Sequence, residues 1–291
     1  MKKLLVTVVF IVAALGAAAQ LLWEIRKDGA LPSYLLGTCH YVDVDYVDSI
    51  PGLDYAFAGC DTLYTEIGLP DISEVQSVMS DYGMKLGKIP PLGTQLSEAT
   101  AVALREYIIN VEGGDSSLID NDIRRMNMFH FIKKYPSTSV LSSAQNNVQV
   151  EIAMDLGLAQ IAALCGKVNK ALESLEYQYD TYCSFIAENM ELYVRDMIEG
   201  NFEAERIRIV DNYKKGNLDK LYSEIERYKG LPYMEDLINV RNRAWADTLA
   251  PSLDRGGVLI AVGTGHLPGD SGLIALFRER GFTVEPVGVS Q

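Results

Sequence analysis

The chain has 291 residues, 48% of them apolar and 22% charged, with a formal net charge of −13. This composition is that of a folded globular protein with a sizeable core and excludes a disordered or low-complexity chain. The acidic excess argues against a nucleic-acid partner, which needs a basic face to meet phosphate.

The N-terminus reads as an export signal. Lys2 and Lys3 precede an apolar run from Leu4 to about Leu15, and Ala17-Ala18-Ala19 supplies a small-residue cleavage site. The run is short for a membrane span, and no cysteine follows it for lipid attachment. The expectation is a signal peptide over residues 1–19 and a domain over residues 20–291. It would lie in the periplasm or outside the cell, with no stable membrane span. Cys39, Cys60, Cys165 and Cys183 form an even set whose spacing marks no pairing. Export permits disulfides without requiring them.

Residues 21–68 read as strands and turns. Leu22 to Arg26 and Ser33 to Leu36 form a hairpin about Lys27-Asp28-Gly29. Tyr41 to Ile50 is expected as a loop, Leu53 to Ala58 as a short helix, and Asp61 to Ile67 as a strand ending at Gly68. From about 70 to 250 helical spacing dominates, beginning at Asp71 or Ser73. Ser97 is an N-cap candidate, followed by Ala101, Leu104 and Ile108 on one face. Further helices are expected over 118–134, 150–165, 177–199, 202–213, 218–228 and 234–249, and a short strand at Val140-Leu141. The C-terminal segment returns to strand, helix and strand: Val258 to Val262, Leu273 to Arg280 and Phe282 to Val287, with Gly281 ending the helix. The predicted class is α+β. Strands from both termini share a central sheet, and a large helical middle, an insertion at about 70–250, packs on or beside it.

The chemistry concentrates where strands end. Tyr34-Leu35-Leu36 runs into Gly37-Thr38-Cys39-His40, and Val258 to Val262 runs into Gly263-Thr264-Gly265-His266. The chain has three histidines, and two occupy the same place in a repeated Gly-Thr-x-His tetrapeptide. Glycine lets the backbone turn as a strand ends, and an imidazole there binds a metal or moves a proton. Glu66 stands at a third strand end. His40, Glu66 and His266 form a sensible divalent-metal set that leaves positions for water. Taken singly, a strand glutamate is more often a surface residue and a strand-end histidine is often only hydrogen-bonded. The duplication shifts the balance for the two histidines.

Other motifs carry less. There is no His-Glu-x-x-His, no P-loop and no Gly-x-Gly-x-x-Gly opening a helix. Gly269-Asp270-Ser271-Gly272 resembles a serine-protease segment but reads as a loop with Asp270 or Ser271 capping the last helix. Cys39 and His40 are strand neighbours and should face opposite ways. His130 lies on a helical pattern, as a packing or surface residue. Arg241-Asn242-Arg243 opens a helix as a solvated face, or with an arginine placed to hold an anionic intermediate or orient the carboxylate.

The ordered set of these segments resembles the TraB/GumN family, which includes the Tiki-type metalloproteases. The resemblance runs from Leu22-Trp23, Leu36 to His40 and Thr65-Glu66, through Asp155, Gly166-Lys167, Leu172-Glu173-Ser174 and Gln178. It continues through Arg241-Asn242-Arg243, Ala261 to Gly269 and Gly272-Leu273 to Gly281-Phe282-Thr283-Val284. It implies a metal-dependent hydrolytic site in which His40, His266 and Glu66 bind a divalent ion (Mn, Co or Zn), Arg241 lies near the site, and Glu173 is a further candidate. The expected function is an exported hydrolase acting on a peptide or small-molecule substrate, with peptide bonds favoured. The alternatives are a non-catalytic peptide- or ligand-binding protein and a metal-independent, esterase-like hydrolase with a histidine base.

Overall fold

A computed structural model describes residues 21–78, 89–138 and 153–288. Its centre is a six-stranded sheet in the order β4-β3-β5-β2-β1-β6. The strands are β1 (Leu22–Arg26), β2 (Ser33–Thr38), β3 (Thr62–Thr65), β4 (Val168–Ala171), β5 (Val258–Gly263) and β6 (Thr283–Pro286). β2, β3, β4 and β5 run parallel, and β1 pairs antiparallel with both β2 and β6. The hairpin and the shared sheet of both termini are therefore as expected. β5 sits between β2 and β3, so the last parallel strand is wedged between the first two.

The period-2 pattern of β5 divides the core. Val258, Ile260 and Val262 face one layer, with Trp245, Leu249 and Phe277 from α11 (Arg241–Leu253) and α12 (Leu273–Glu279). Leu259 and Ala261 face the other, with Leu36, Leu63, Met154 and Leu158, over α1 (Leu53–Gly59) and α6 (Met154–Leu164). Each such fully buried side chain contributes roughly 1.5–3 kcal/mol. A third cluster lies within the helical middle. It joins Leu104 and Ile108 of α3 (Glu98–Val111), Ile123 of α4 (Ser116–Arg125), Phe131 of α5 (Met128–Lys134) and Val194 of α8 (Met190–Ile198). α2 (Leu92–Gln95), α7 (Leu175–Glu188), α9 (Asn201–Lys214) and α10 (Leu218–Glu226) are further helices, and residues 72–78 are helical after Asp71, where a start was expected.

Several local expectations are corrected. The 41–50 loop contains a 3-10 helix, Val44–Ser49, capped by the Asp43 side chain. The helix expected over 118–134 is two, because Asn127 turns its side chain to cap His130 N and starts a new helix. The 177–199 helix likewise breaks at Asn189, whose amide donates to Phe185 O and Pro232 O. Gly272 is the N-cap of α12 and makes no side-chain cap bond, so neither Asp270 nor Ser271 caps it. β4 was not expected; Val168-Asn169-Lys170-Ala171 is a largely exposed edge strand without apolar alternation. It lies inside the expected helical insertion, so the middle of the chain also contributes to the sheet. Val140-Leu141 falls outside the described residues. One glycine is irreplaceable on geometry: Gly256 has φ +76°, and a side chain there would overlap the Leu31 carbonyl.

Candidate active site

The four parallel strands point their carboxyl ends the same way, where ligands gather in sheets of this kind. β2 ends two residues before His40, β3 one residue before Glu66, β4 two residues before Glu173, and β5 three residues before His266. The two Gly-Thr-x-His segments touch: Thr264 Oγ1 donates to Thr38 O at 2.7 Å. A side chain at Gly37 would press on Thr264, so glycine is needed there for close approach. The backbone N–H of Gly263 donates to Glu66 Oε1 at 2.8 Å, joining the second motif to the glutamate.

Glu66 is buried, contrary to what a lone strand glutamate suggests. Its Oε2 accepts from Arg241 Nη2 and from Gln178 Nε2 of α7, each at 2.7 Å. Burial works to raise its carboxyl, but the charges of Arg241 and His40 and the Gly263 N–H outweigh it, leaving it below the usual range. Glu173 is held by Arg241 Nε at 3.1 and 3.0 Å, by Arg241 Nη2 at 2.6 Å and by Trp245 Nε1 at 3.1 Å. Burial nevertheless keeps its carboxyl above the usual value. Arg241 Nη1 donates to Leu237 O at 2.9 Å and stands 3.3 Å from His266 Nε2. All five guanidinium N–H groups therefore have partners. Arg241 orients Glu66 and Glu173 and has no donor left for an anionic intermediate.

The twin histidines differ sharply. His266 is buried, its ring centroid 4.6 Å from that of Trp245 and tilted 47° to it, with Nδ1 2.7 Å from Asn242 Oδ1. The Asn242 amide nitrogen is committed to Ser271 O at 2.8 Å and His266 O at 3.3 Å. Its oxygen must therefore accept, His266 Nδ1 carries the proton, and Nε2 keeps its lone pair. Burial lowers this imidazole to about 3, opposed by Glu66 and assisted by Arg241; it is neutral at physiological pH. His40 has 58% of its side chain exposed and places Nδ1 3.4 Å from Asp155 Oδ1. Its hydrogen bond to Asp155 raises it to about 9, despite desolvation. One repeated pattern thus yields a neutral lone-pair donor and an imidazolium, because one ring is buried and the other is paired with a carboxylate.

His40, Glu66, Gln178, Arg241 and His266 line one cleft of about 510 Å³, with Tyr179, Tyr182 and Leu237 on its walls. Among the described residues no three His, Cys, Asp or Glu side chains stand close enough together to cage a metal ion; His266 Nε2 and Glu66 Oε1 are 3.9 Å apart.

The model of the TraB/PrgY/gumN family matches residues 21–286. The chain belongs to the TraB/PrgY/gumN family. No curated protein and no solved structure matches it significantly. In this TraB/PrgY/gumN protein the expected site residues His40, Glu66, His266 and Arg241 do share one cleft, and Glu173 lies directly behind it. Asn242 and Asp155 had no role assigned from sequence, although both sit in segments that carry the family resemblance. Trp245 likewise had no role assigned. His130 is exposed on α5, away from these strand ends. Cys39 is buried while His40 is exposed, although β2 ends at Thr38 and neither residue lies in the strand, and the four cysteines are free thiols. Among the described residues no helix is long and apolar enough to cross a membrane.

Proposed function

We propose that this chain is an exported hydrolase that cleaves peptide bonds with the help of one divalent metal ion. The observation that carries the reading is one cleft that holds a buried imidazole fixed by Asn242, a second imidazole paired with Asp155, and a buried glutamate held by Arg241. Export rests on the Lys2-Lys3, apolar and Ala-x-Ala pattern of the N-terminus.

The donor chemistry fits a divalent cation at two residues. His266 presents a neutral Nε2 with its other nitrogen fixed by Asn242, the outer contact that metal-binding histidines use. Glu66, Glu173 and Arg241 together leave one net negative charge, which a cation balances. His266 and Glu66 are the donors in this reading, with Mn, Co or Zn as the candidate ions. The 3.3 Å Arg241–His266 contact, the longest at the guanidinium, is the one a cation replaces. A bound divalent ion would supply Lewis acidity and an acidified water at neutral pH. The chain's own groups do the rest. Arg241 and Gln178 fix Glu66, while Asn242 and Trp245 fix His266. The attacking water leaves its proton to the solvent as it adds to the carbonyl; when the C–N bond then breaks, His40, held by Asp155, gives its proton to the departing amine and regains one from the solvent.

A second reading is favoured by one observation: the His40–Asp155 pair is an acid–base dyad complete without a metal. The test is metal content and turnover on a peptide library for the wild type, His266→Ala and His40→Ala. The leading reading expects near-stoichiometric metal in the wild type and in folded His40→Ala, lost in His266→Ala, with turnover lost in both variants. Turnover that survives chelation and His266→Ala but not His40→Ala moves the assignment to the metal-independent dyad. Absence of both metal and turnover overturns both.

A further inference from the structure

Beside the cleft lies a second cavity, of about 150 Å³, walled by Tyr41, Tyr182, Phe185, Tyr193, Phe202 and Tyr228. The rings meet at steep angles: Phe185 and Tyr228 are 85° apart at 6.5 Å, and Tyr193 and Phe202 are 53° apart at 5.2 Å. They form a box rather than a flat stack. Its polar lining is acceptor-rich. Asp196 and Glu205 contribute carboxylates, and Asn189 an amide whose nitrogen is already committed to Phe185 O and Pro232 O. Glu205 accepts from the Tyr228 hydroxyl at 2.6 Å.

The arginines nearby have carboxylates of their own. Arg206 is clamped by Glu203 through Nε at 2.8 Å and Nη2 at 2.6 Å, while Arg208 and Arg227 share Glu224. Among the described residues neither Asp196 nor Glu205 has a lysine or arginine within ion-pair distance. The small pocket thus combines aromatic faces, two carboxylates without a bound cation and one amide oxygen. An apolar ligand would desolvate those carboxylates without replacing their partners. An anion would meet repulsion.

We propose that this pocket is a subsite for a lysine side chain of the substrate. The methylene stem packs on the rings, the charge lies against their faces, and the three ammonium hydrogens meet Asp196, Glu205 and the Asn189 oxygen. A quaternary ammonium would use the rings and leave the acceptors idle, which favours the primary amine. The position links the pocket to the reaction. Tyr182 lines both this pocket and the cleft, and Tyr41 directly follows His40. A residue seated here holds its backbone at the His40 rim of the cleft. Only the identity of the carrier, a peptide, rests on the hydrolase reading; the pocket's preference for an alkylammonium does not.

The test is calorimetric or NMR titration of the full mature protein with Nα-acetyl-lysine methylamide, its norleucine counterpart and choline. Lysine is expected to bind about tenfold more tightly than norleucine, between the scales of an exposed and a desolvated cation–π contact. Glu205→Gln, which keeps the shape and the Tyr228 contact, should abolish most of that preference and leave norleucine binding unchanged; Asp196→Asn should act alike. Equal binding of lysine and norleucine, tighter binding of choline than of lysine, or an undiminished preference in both variants overturns the proposal. The readout is binding, so a protein without turnover still tests the subsite. Loss of the lysine preference in an active enzyme sinks the subsite alone.

Discussion

Replacing Asp155 with asparagine separates the roles of the two histidine motifs. In the wild type the Asp155 hydrogen bond and charge raise His40 from an ordinary 6.5 to about 9. His40 is 58% exposed and the contact is 3.4 Å, so water screens part of this interaction. A carboxylate in contact shifts a partner by roughly one to three pH units, and an exposed pair belongs at the low end. The expected fall on neutralising Asp155 is therefore about one unit. Three histidines make the assay clean: imidazole proton NMR follows His40, His130 and His266 as separate resonances. In Asp155→Asn the His40 resonance should titrate about one unit lower, and His266 should stay unprotonated across neutral pH in both proteins. Because His40 acts as an acid in its charged form, the alkaline limb of the rate profile should move down by the same amount. The raised value also means that the His40–Asp155 contact stabilises the fold fully below about 6.5 and is lost as pH rises through about 9. An unmoved His40 titration, or a His266 that protonates near neutrality, would refute the assignment of opposite roles.

Arg241→Met leaves Glu66 and Glu173 buried without their cation and should cost about 3–5 kcal/mol in urea unfolding. The loss should be smaller at pH 5.5 than at pH 8, because one carboxylate then takes a proton on folding; a pH-independent loss would contradict the shared-cation geometry. Asn242→Ala removes the group that fixes the His266 proton and should weaken metal binding about 10–100-fold while the protein stays folded. Unchanged metal affinity counts against His266 as a ligand. Since burial lowers His266 to about 3, the unfolded chain takes up its proton first as pH falls below about 6.5. Stability should decline by up to about 1.4 kcal/mol per pH unit from this residue. His266→Gln should flatten that part of the acid-unfolding curve. Gly256→Ala should fail to fold or lose several kcal/mol by the same assay, given its left-handed backbone and the Leu31 carbonyl in the way.

What the sequence determined by itself is local. Alternation marked β3, a short apolar run marked β5, a turn between two short runs marked β1 and β2, and helical spacing marked α3 and α9, because strand and helix signals are written in neighbouring residues. The repeated Gly-Thr-x-His placed two imidazoles at strand ends, and Glu66 and Arg241 were selected with them. Where a single polar side chain redirects the backbone, as at Asn127 and Asn189, the periodicity ran on past the break. An exposed edge strand such as β4 has no apolar face to announce it. The tertiary structure decided the rest. Wedging β5 between β2 and β3 brought Glu66 against Gly263 and set Thr264 on Thr38. It also chose the partners that distinguish the histidines: Asp155 from α6 beside His40, and Asn242 from α11 beside His266. Two tetrapeptides of one Gly-Thr-x-His pattern do not by themselves encode different protonation. That difference comes from burial and from the charge of groups that lie far away in sequence and within hydrogen-bonding reach in space.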